Sequence, residues 1–208
     1  MPVLTIFAGI NGAGKTTLYK YERKFVGVDL GERINPDEIH AARVKVWKDY
    51  ASIVRSGRIA INKIRHCIAR KVSFNWETTI ITGTTLKFLR EAKEAGFLIQ
   101  LNFIGVQDVN LSLERIKQRV AKGGHDIPEE IVRGRFKNQF RHIPEALKYV
   151  DNALFLDNSR SMQVVATYLD KEFFVHDSSI PWVKQLNETH HLVHQRLYAH
   201  KPKDDSGK

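Results

Sequence analysis

The sequence predicts an α/β protein, a single domain whose parallel sheet is flanked by helices on both faces. Three observations carry that expectation. Short β-rich apolar runs alternate with longer stretches whose apolar positions recur at helical spacing. The first run, Val3 to Ala8, is apolar along its length, as a strand covered on both faces is. The 208 residues suit one core and leave little room for a second.

Val3 to Ala8 is the first such run, bounded by Gly9, and predicts a buried strand followed at once by a glycine-rich turn. Thr16 to Arg23 is helix-compatible. A second strand is expected before the polar turn Asn35-Pro36-Asp37-Glu38, where Pro36 suits the first position of a helix and Asn35 its cap. Ile53, Ala60, Ile64, Cys67 and Ile68 recur at helical spacing and predict a helix over 53–70, weakened near its start by Gly57. Ser73 to Thr79, rich in aromatic and β-branched residues, predicts a strand. From Gly83 the residues Leu86, Leu89 and Ala92 share one helical face, and Gly96 ends that helix. Phe97 to Val106 predicts another buried strand. Val109, Leu113, Ile116 and Val120 make Val109 to Ala121 amphipathic, with Arg115, Arg119 and Lys122 on the opposite side and Gly123-Gly124 as its stop. Pro128 starts a helical region reaching about Tyr149 and interrupted near Pro144. Ala153 to Leu156 predicts a short strand ending at Asp157-Asn158-Ser159, while Val164 to Asp170 and Phe173 to Val175 fit helix and strand alike. Val183, Leu186, Val193 and Leu197 predict a last helix, so the domain is expected over 1–200, with 201–208 as a solvated tail.

Composition narrows the function classes. Hydrophobic residues make 42% and charged residues 27%, which excludes wholesale disorder and low-complexity architectures. The longest apolar stretches fall well short of the roughly 18 residues a membrane helix needs. No basic region precedes the apolar run at the N-terminus, which sets the expectation of a protein that stays in the cytoplasm. The single cysteine, Cys67, forms no intramolecular disulfide and is expected to fill a helix face in a reducing compartment. Lys and Arg total 33 against 23 Asp and Glu, a net charge of +10, which calls for an anionic partner. Nucleic acid, nucleotides, phosphorylated metabolites and an acidic protein all qualify.

The residues that carry chemistry choose among them. Gly9-Ile10-Asn11-Gly12-Ala13-Gly14-Lys15-Thr16 is the phosphate-loop pattern in its required context of strand, loop and helix. Its amides and the helix N-terminus favour phosphate oxygens, Lys15 spans the terminal phosphates, and Thr16 can ligate Mg²⁺. The expected nucleotide-binding residues are therefore Gly9, Asn11, Gly12, Ala13, Gly14, Lys15, Thr16 and Thr17. Asp37, after the second strand, reads either as the acid that accepts a proton from a bound hydroxyl or as an acidic first turn that favours its helix. Glu77, with Thr78 and Thr79, reads as a substrate-orienting set or as a solvated strand end. Arg115, Arg119, Arg133 and Arg135 flank Gly123-Gly124-His125-Asp126-Ile127-Pro128 and read as a lid over a triphosphate or as a solvated basic face. Glu77, Asp108 and Asp157 are the candidate second magnesium acids. His190, His191, His194 and His200 form a polar face without a metal-binding pattern.

In this order and context, Gly12-Ala13-Gly14-Lys15-Thr16-Thr17, Asn35-Pro36-Asp37-Glu38-Ile39, Phe74 through Glu77-Thr78-Thr79, Arg115 and Arg119 with the Gly123 to Pro128 turn, and Asp157-Asn158-Ser159 resemble the zeta-toxin family of small phosphotransferases. The resemblance implies a P-loop kinase-like domain that uses ATP or GTP with Mg²⁺ to phosphorylate a hydroxyl of a sugar nucleotide such as UDP-N-acetylglucosamine. It further implies Asp37 as base, Lys15 and Thr16 on the nucleotide and magnesium, and Glu77 as a substrate-orienting acid with Thr78 and Arg115 beside it. The lid arginines are then Arg119 with Arg133 or Arg135. A separate antitoxin protein is an implied partner. Asn138, Gln139 and His142 stand where Arg, Ser and Asn are frequent in that family. A polynucleotide or other small-metabolite kinase, and a nucleotide-dependent binding module without acceptor chemistry, stay open as alternatives.

Overall fold

A computed structural model describes residues 1–43, 50–124 and 126–189 of the chain. Its strands are β1 (Val3–Ala8), β2 (Glu32–Ile34), β3 (Phe74–Thr78), β4 (Leu98–Gly105), β5 (Asn152–Asp157), β6 (Gln163–Leu169) and β7 (Glu172–Val175). The helices between them are α1 (Lys15–Tyr21), continued by a π-helical turn Glu22–Val26, then α2 (Pro36–Ala41), α3 (Tyr50–Arg70), α4 (Gly83–Glu94), α5 (Val109–Ala121), α6 (Glu129–Asn138) and α7 (Ile143–Ala146). Residues 181–189 are also helical.

All seven strands join one sheet in the order β2-β3-β1-β4-β5-β6-β7. The pairs from β2 to β5 are parallel, as the alternation of runs and helices predicts. Two antiparallel strands extend it. The segments that fit helix and strand alike are β6 and β7, a hairpin closed by Asp170 and Lys171, both with positive φ (52° and 67°). Two positive φ values suit the twist of a two-residue hairpin loop, yet an Asp-Lys pair lacks the glycine that normally announces one.

Helices cover both faces because β1 is apolar on both. Leu4, Ile6 and Ala8 face a core shared with α3, α4, α7 and residues 181–189, whereas Phe7 faces Leu18 and Tyr19 of α1. The alternation puts α1 and α4 on opposite sides of the sheet although β1 and β3 are neighbours. The chain therefore leaves β1 in one direction and crosses back over it after β3, which opens a crevice at the carboxyl ends of these two strands. α5 and α6 have a small core of their own, built from Leu113, Ile116, Ile127 and Val132. Cys67 packs in the main core, where burial and the nearby Glu32 push its thiol up to about 12. Among the described residues no helix is long and apolar enough to cross a membrane. The predicted tail 201–208 and His190, His191, His194 and His200 lie outside the described residues.

Phe103 is fully buried and its ring meets those of Phe140, Phe155 and Trp182 at 5.6 to 6.1 Å. Phe103→Ala is expected to cost about 3–5 kcal/mol, read as a lower urea midpoint at unchanged slope. Glu22 gives a pH-dependent case. Burial beside Asn102, which donates to it at 3.2 Å, raises its carboxyl from 4.5 to about 6. The folded state thus holds this proton more tightly than the unfolded chain, a contribution present below 4.5 and lost as pH rises through 6. Glu22→Gln should gain about 1 kcal/mol at pH 8 after allowance for solvent screening, and nothing at pH 4, in paired thermal melts.

Candidate functional site

The turn after β1 is built around Lys15, which is 7% exposed. Its ammonium donates to the carbonyls of Gly9 at 2.8 Å and Ile10 at 3.0 Å, so the loop closes on its own cation. Burial lowers the Lys15 pKa from its ordinary value, and the Glu77 and Asp37 carboxylates work against that shift. Gly12 sits at φ +80, and a Cβ there would stand 2.8 Å from the Ser112 carbonyl of α5. That contact lets α5 lie directly on the loop. Arg115 of α5 donates to the Gly12 carbonyl at 3.3 Å and the Asn158 carbonyl at 2.8 Å, and the Asn158 amide donates to the Ala13 carbonyl at 2.8 Å. The loop is held from two sides, with its backbone facing the crevice.

Across the crevice, Glu77 near the end of β3 is 8% exposed and accepts from three side chains. The Thr16 hydroxyl lies 2.9 and 3.1 Å from its two oxygens, Arg33 donates at 2.5 Å and Asn35 at 3.1 Å. Arg33 of β2 also donates to Glu38 at 2.9 Å and to Asn75 at 3.0 Å, while its guanidinium stacks 3.8 Å over the Tyr19 ring. Burial works against the Arg33 charge, but Glu38 and Glu77 outweigh it and leave its pKa above the ordinary value.

Asn35 has two tasks. Its amide oxygen accepts from the Asp37 backbone N–H at 2.9 Å, capping α2 as the sequence predicts, while its NH₂ serves Glu77. The cap sets Asp37 in the first turn of α2, exposed and lining the cavity, where its charge acts on both Lys15 and Arg135.

α5 and α6 form the third side. Gly123 donates to the Val120 carbonyl and Gly124 to that of Arg119, both at 2.9 Å, the paired bonds of a Schellman stop with Gly123 at φ +83. A Cβ on Gly124 would lie 2.5 Å from the Arg119 side chain, so the missing methyl leaves room for the stem of that arginine. Arg135 of α6 donates to the Asn11 side chain at 2.6 Å, and burial lowers its pKa against the pull of Asp37. Together these elements surround a cavity of about 630 Å³ lined by Lys15, Thr16, Thr17, Asp37, Glu77, Arg115 and Arg119, with Asn11, Gly12 and Gly14 of the loop.

Other expected residues stand elsewhere. Arg133 is exposed and bonds Glu129 at 2.8 Å and Asn110 at 3.1 Å on the outer side of the lid. Gly9 and Ala13 act through their carbonyls and do not line the cavity. Thr78 donates to the Ile80 carbonyl at 3.1 Å and shapes the turn after β3. Asp108 caps α5 through the Asn110 N–H at 2.8 Å. Asp157 is buried and accepts from Ser159 and from the Trp182 indole at 2.9 Å, a structural role. Of the three candidate magnesium acids only Glu77 borders Thr16. A hydroxyl and a carboxylate are hard oxygen donors suited to Mg²⁺. Among the described residues no group of three His, Cys, Asp or Glu could hold a metal. His125 lies outside the described residues.

The sequence reading missed Arg33. Its signal was indirect: Asn75, wholly buried within an apolar strand, needs polar partners, and the β2–β3 register sets Arg33 beside it.

A family model described as Zeta toxin matches residues 1–178. An uncharacterized protein of Haemophilus influenzae is 34% identical over 130 residues, which is 62% of this chain and 89% of that protein. Among solved structures, the AvrRxo1-ORF1:-ORF2 complex with ATP aligns with a TM-score of 0.68 at 19% identity, covering 91% of this chain and 63% of that one. The PezAT chromosomal toxin-antitoxin system of Streptococcus pneumoniae aligns with a TM-score of 0.61 at 16% identity, covering 97% and 88%. At these identities the solved structures show a shared fold.

Removing Arg33 leaves the Glu77 carboxylate buried without its guanidinium. Arg33→Ala is expected to destabilise the protein by about 3 kcal/mol in denaturant melts. Arg33→Lys should recover only part of that, since one ammonium cannot span Asn75, Glu38 and Glu77 while stacking on Tyr19.

Proposed function

This chain belongs to the zeta-toxin family, and from that premise we propose that it transfers the γ-phosphoryl group of ATP or GTP to a hydroxyl of a sugar nucleotide such as UDP-N-acetylglucosamine. The observation that carries this reading is the meeting of Lys15, the Thr16–Glu77 pair, Asp37 and Arg119 around one cavity. The ATP in the AvrRxo1 complex supports the choice of nucleotide.

In this reading the loop amides and Lys15 take the β- and γ-phosphates at the N-terminus of α1. Mg²⁺ arriving with the nucleotide would be held by Thr16 and Glu77 and would neutralise charge on the β- and γ-oxygens. The acceptor hydroxyl lies beside Asp37, whose carboxylate takes its proton as the oxygen bonds to the γ-phosphorus. The bond from that phosphorus to the β–γ bridging oxygen breaks, and its electron pair leaves with the nucleoside diphosphate. Arg119 and Arg135 face the oxygens where charge spreads in the transition state. The exposure of Asp37 suits a group that must meet an incoming alcohol, while the burial of Lys15 suits a group that holds a fixed phosphate and that of Glu77 a fixed ligand for the ion.

A separate inhibitor protein is part of the same proposal. PezAT is a toxin-antitoxin system, and a net charge of +10 suits an acidic partner.

The test incubates the pure protein with labelled ATP, Mg²⁺ and a bacterial metabolite extract and identifies the labelled product by mass spectrometry. Asp37→Asn should keep nucleotide affinity within a few-fold and lower turnover by about 10²–10⁴. Lys15→Ala should lose nucleotide binding itself. Unchanged turnover in the Asp37 variant removes it as base, and label appearing on oligonucleotides in place of sugar nucleotides redirects the substrate assignment.

A further inference from the structure

The two oxygens of Glu77 are not equivalent. Oε2 accepts from the Arg33 guanidinium at 2.5 Å and from the Asn35 amide at 3.1 Å. Oε1 accepts, among the described residues, from the Thr16 hydroxyl alone, at 2.9 Å, and that hydroxyl also lies 3.1 Å from Oε2. One oxygen is thus committed to a cation and an amide. The other lies nearer the head of α1, at the cavity that Thr16 and Glu77 both line.

Every nitrogen of the Arg33 fork is engaged. Nη1 donates to Asn75 at 3.0 Å, Nε and Nη2 donate to Glu38 at 3.2 and 2.9 Å, and the plane stacks on Tyr19. Asn75 is itself wholly buried, and its amide donates to the carbonyls of Leu30 at 3.2 Å and Glu32 at 3.4 Å. The guanidinium is therefore located from β3, α2 and α1 at once, so the contact with Oε2 does not depend on a loose side chain.

A carboxylate oxygen has two lone pairs, and two donors, one of them charged, take both on Oε2. Ca²⁺ fills a large and adaptable shell, often with both oxygens of one carboxylate, whereas Mg²⁺ demands a compact octahedron and keeps several waters. A carboxylate that presents a single oxygen suits the second ion better than the first.

We infer that Arg33 is a positioning residue for the metal: by occupying Oε2 it leaves a divalent ion the Oε1 of Glu77 alone, and so gives the site a preference for Mg²⁺ over Ca²⁺. The inference rests on the kinase reading for the ion that accompanies the nucleotide. It goes beyond that reading by assigning ion selectivity to a side chain that acts only through Glu77. A purely structural Arg33 would change stability and leave the shell of the ion as it was.

For the test, ADP is titrated by calorimetry into the protein with saturating Mg²⁺ or Ca²⁺, and the waters on protein-bound Mn²⁺·ADP are counted by electron spin echo spectroscopy in deuterated water. The native protein is expected to bind ADP about tenfold or more tightly with Mg²⁺ than with Ca²⁺. Arg33→Met keeps an unbranched stem against Tyr19 and frees Oε2. It should narrow that preference to about threefold or less, through tighter binding with Ca²⁺, and Mn²⁺ should lose one water as Glu77 takes it with both oxygens. Asn35→Ser retains a cap for α2 and removes the second donor to Oε2, so it should narrow the preference by a smaller factor. Where circular dichroism shows that Arg33→Met does not fold, Asn35→Ser decides. An unchanged ratio or an unchanged water count overturns the inference while the kinase reading stands, and so does a native protein that binds ADP equally with the two ions. Absence of ADP binding with either ion in the native protein overturns the kinase reading, and the inference with it.

Discussion

The Glu77 carboxylate is the contact on which the rest of the site depends. It accepts from α1 through Thr16, from β2 through Arg33 and from the head of α2 through Asn35. An ionised carboxylate so nearly buried would be costly alone, and its hydrogen bonds with the Arg33 charge offset that cost. The result is a fixed joint between four elements that meet at the crevice of β1 and β3. The crevice itself follows from topology, because α1 and α4 leave neighbouring strands toward opposite faces. Any parallel sheet wound this way has such an opening. Glu77 gives this one a definite geometry.

That joint also orients Asp37. Asn35 uses one end of its amide to cap α2 and the other to bond Glu77, so the first turn that carries Asp37 is registered against the carboxylate beside Thr16. A displacement of Glu77 would be felt at Asp37 through a single side chain. The far end of the helix is fixed as well, by His40 against Ser52 and Ser56 of α3. A six-residue helix has little intrinsic stability. Its position comes from these two polar anchors and from Ile39, packed against the main core.

The phosphate loop was legible in the sequence because its residues are consecutive and their spacing alone defines the turn. β1 and β4 were legible because burial on both faces writes itself as a largely apolar run. Arg33 was not, because its role exists only across the β2–β3 register, with partners more than forty residues away in the chain. Arg133 and Arg135 were indistinguishable for a related reason. Two residues apart on α6 they point roughly 200° apart, so only one can face the loop, and nothing local says which. The structure turns Arg135 to Asn11 and Arg133 to Glu129. The β6–β7 hairpin escaped notice because Asp170 and Lys171 adopt positive φ without glycine, held there by the ladder on either side.

Three cations at the cavity share a further property. Lys15 bonds the carbonyls of Gly9 and Ile10, Arg115 those of Gly12 and Asn158, and Arg135 the amide oxygen of Asn11. Every one of these acceptors is neutral. A charge held by a neutral carbonyl avoids the penalty of burial without a partner, yet the bond is weaker than one to an ionised phosphate oxygen. Each cation can therefore exchange its acceptor for a phosphate oxygen without losing donors, and the exchange is favourable. Because α5 and α6 share a core of their own, the arginines on both helices can make that exchange as one body. In the proposed reading these cations already stand within reach of the loop, so little of the energy of binding a polyphosphate would be spent on assembling them.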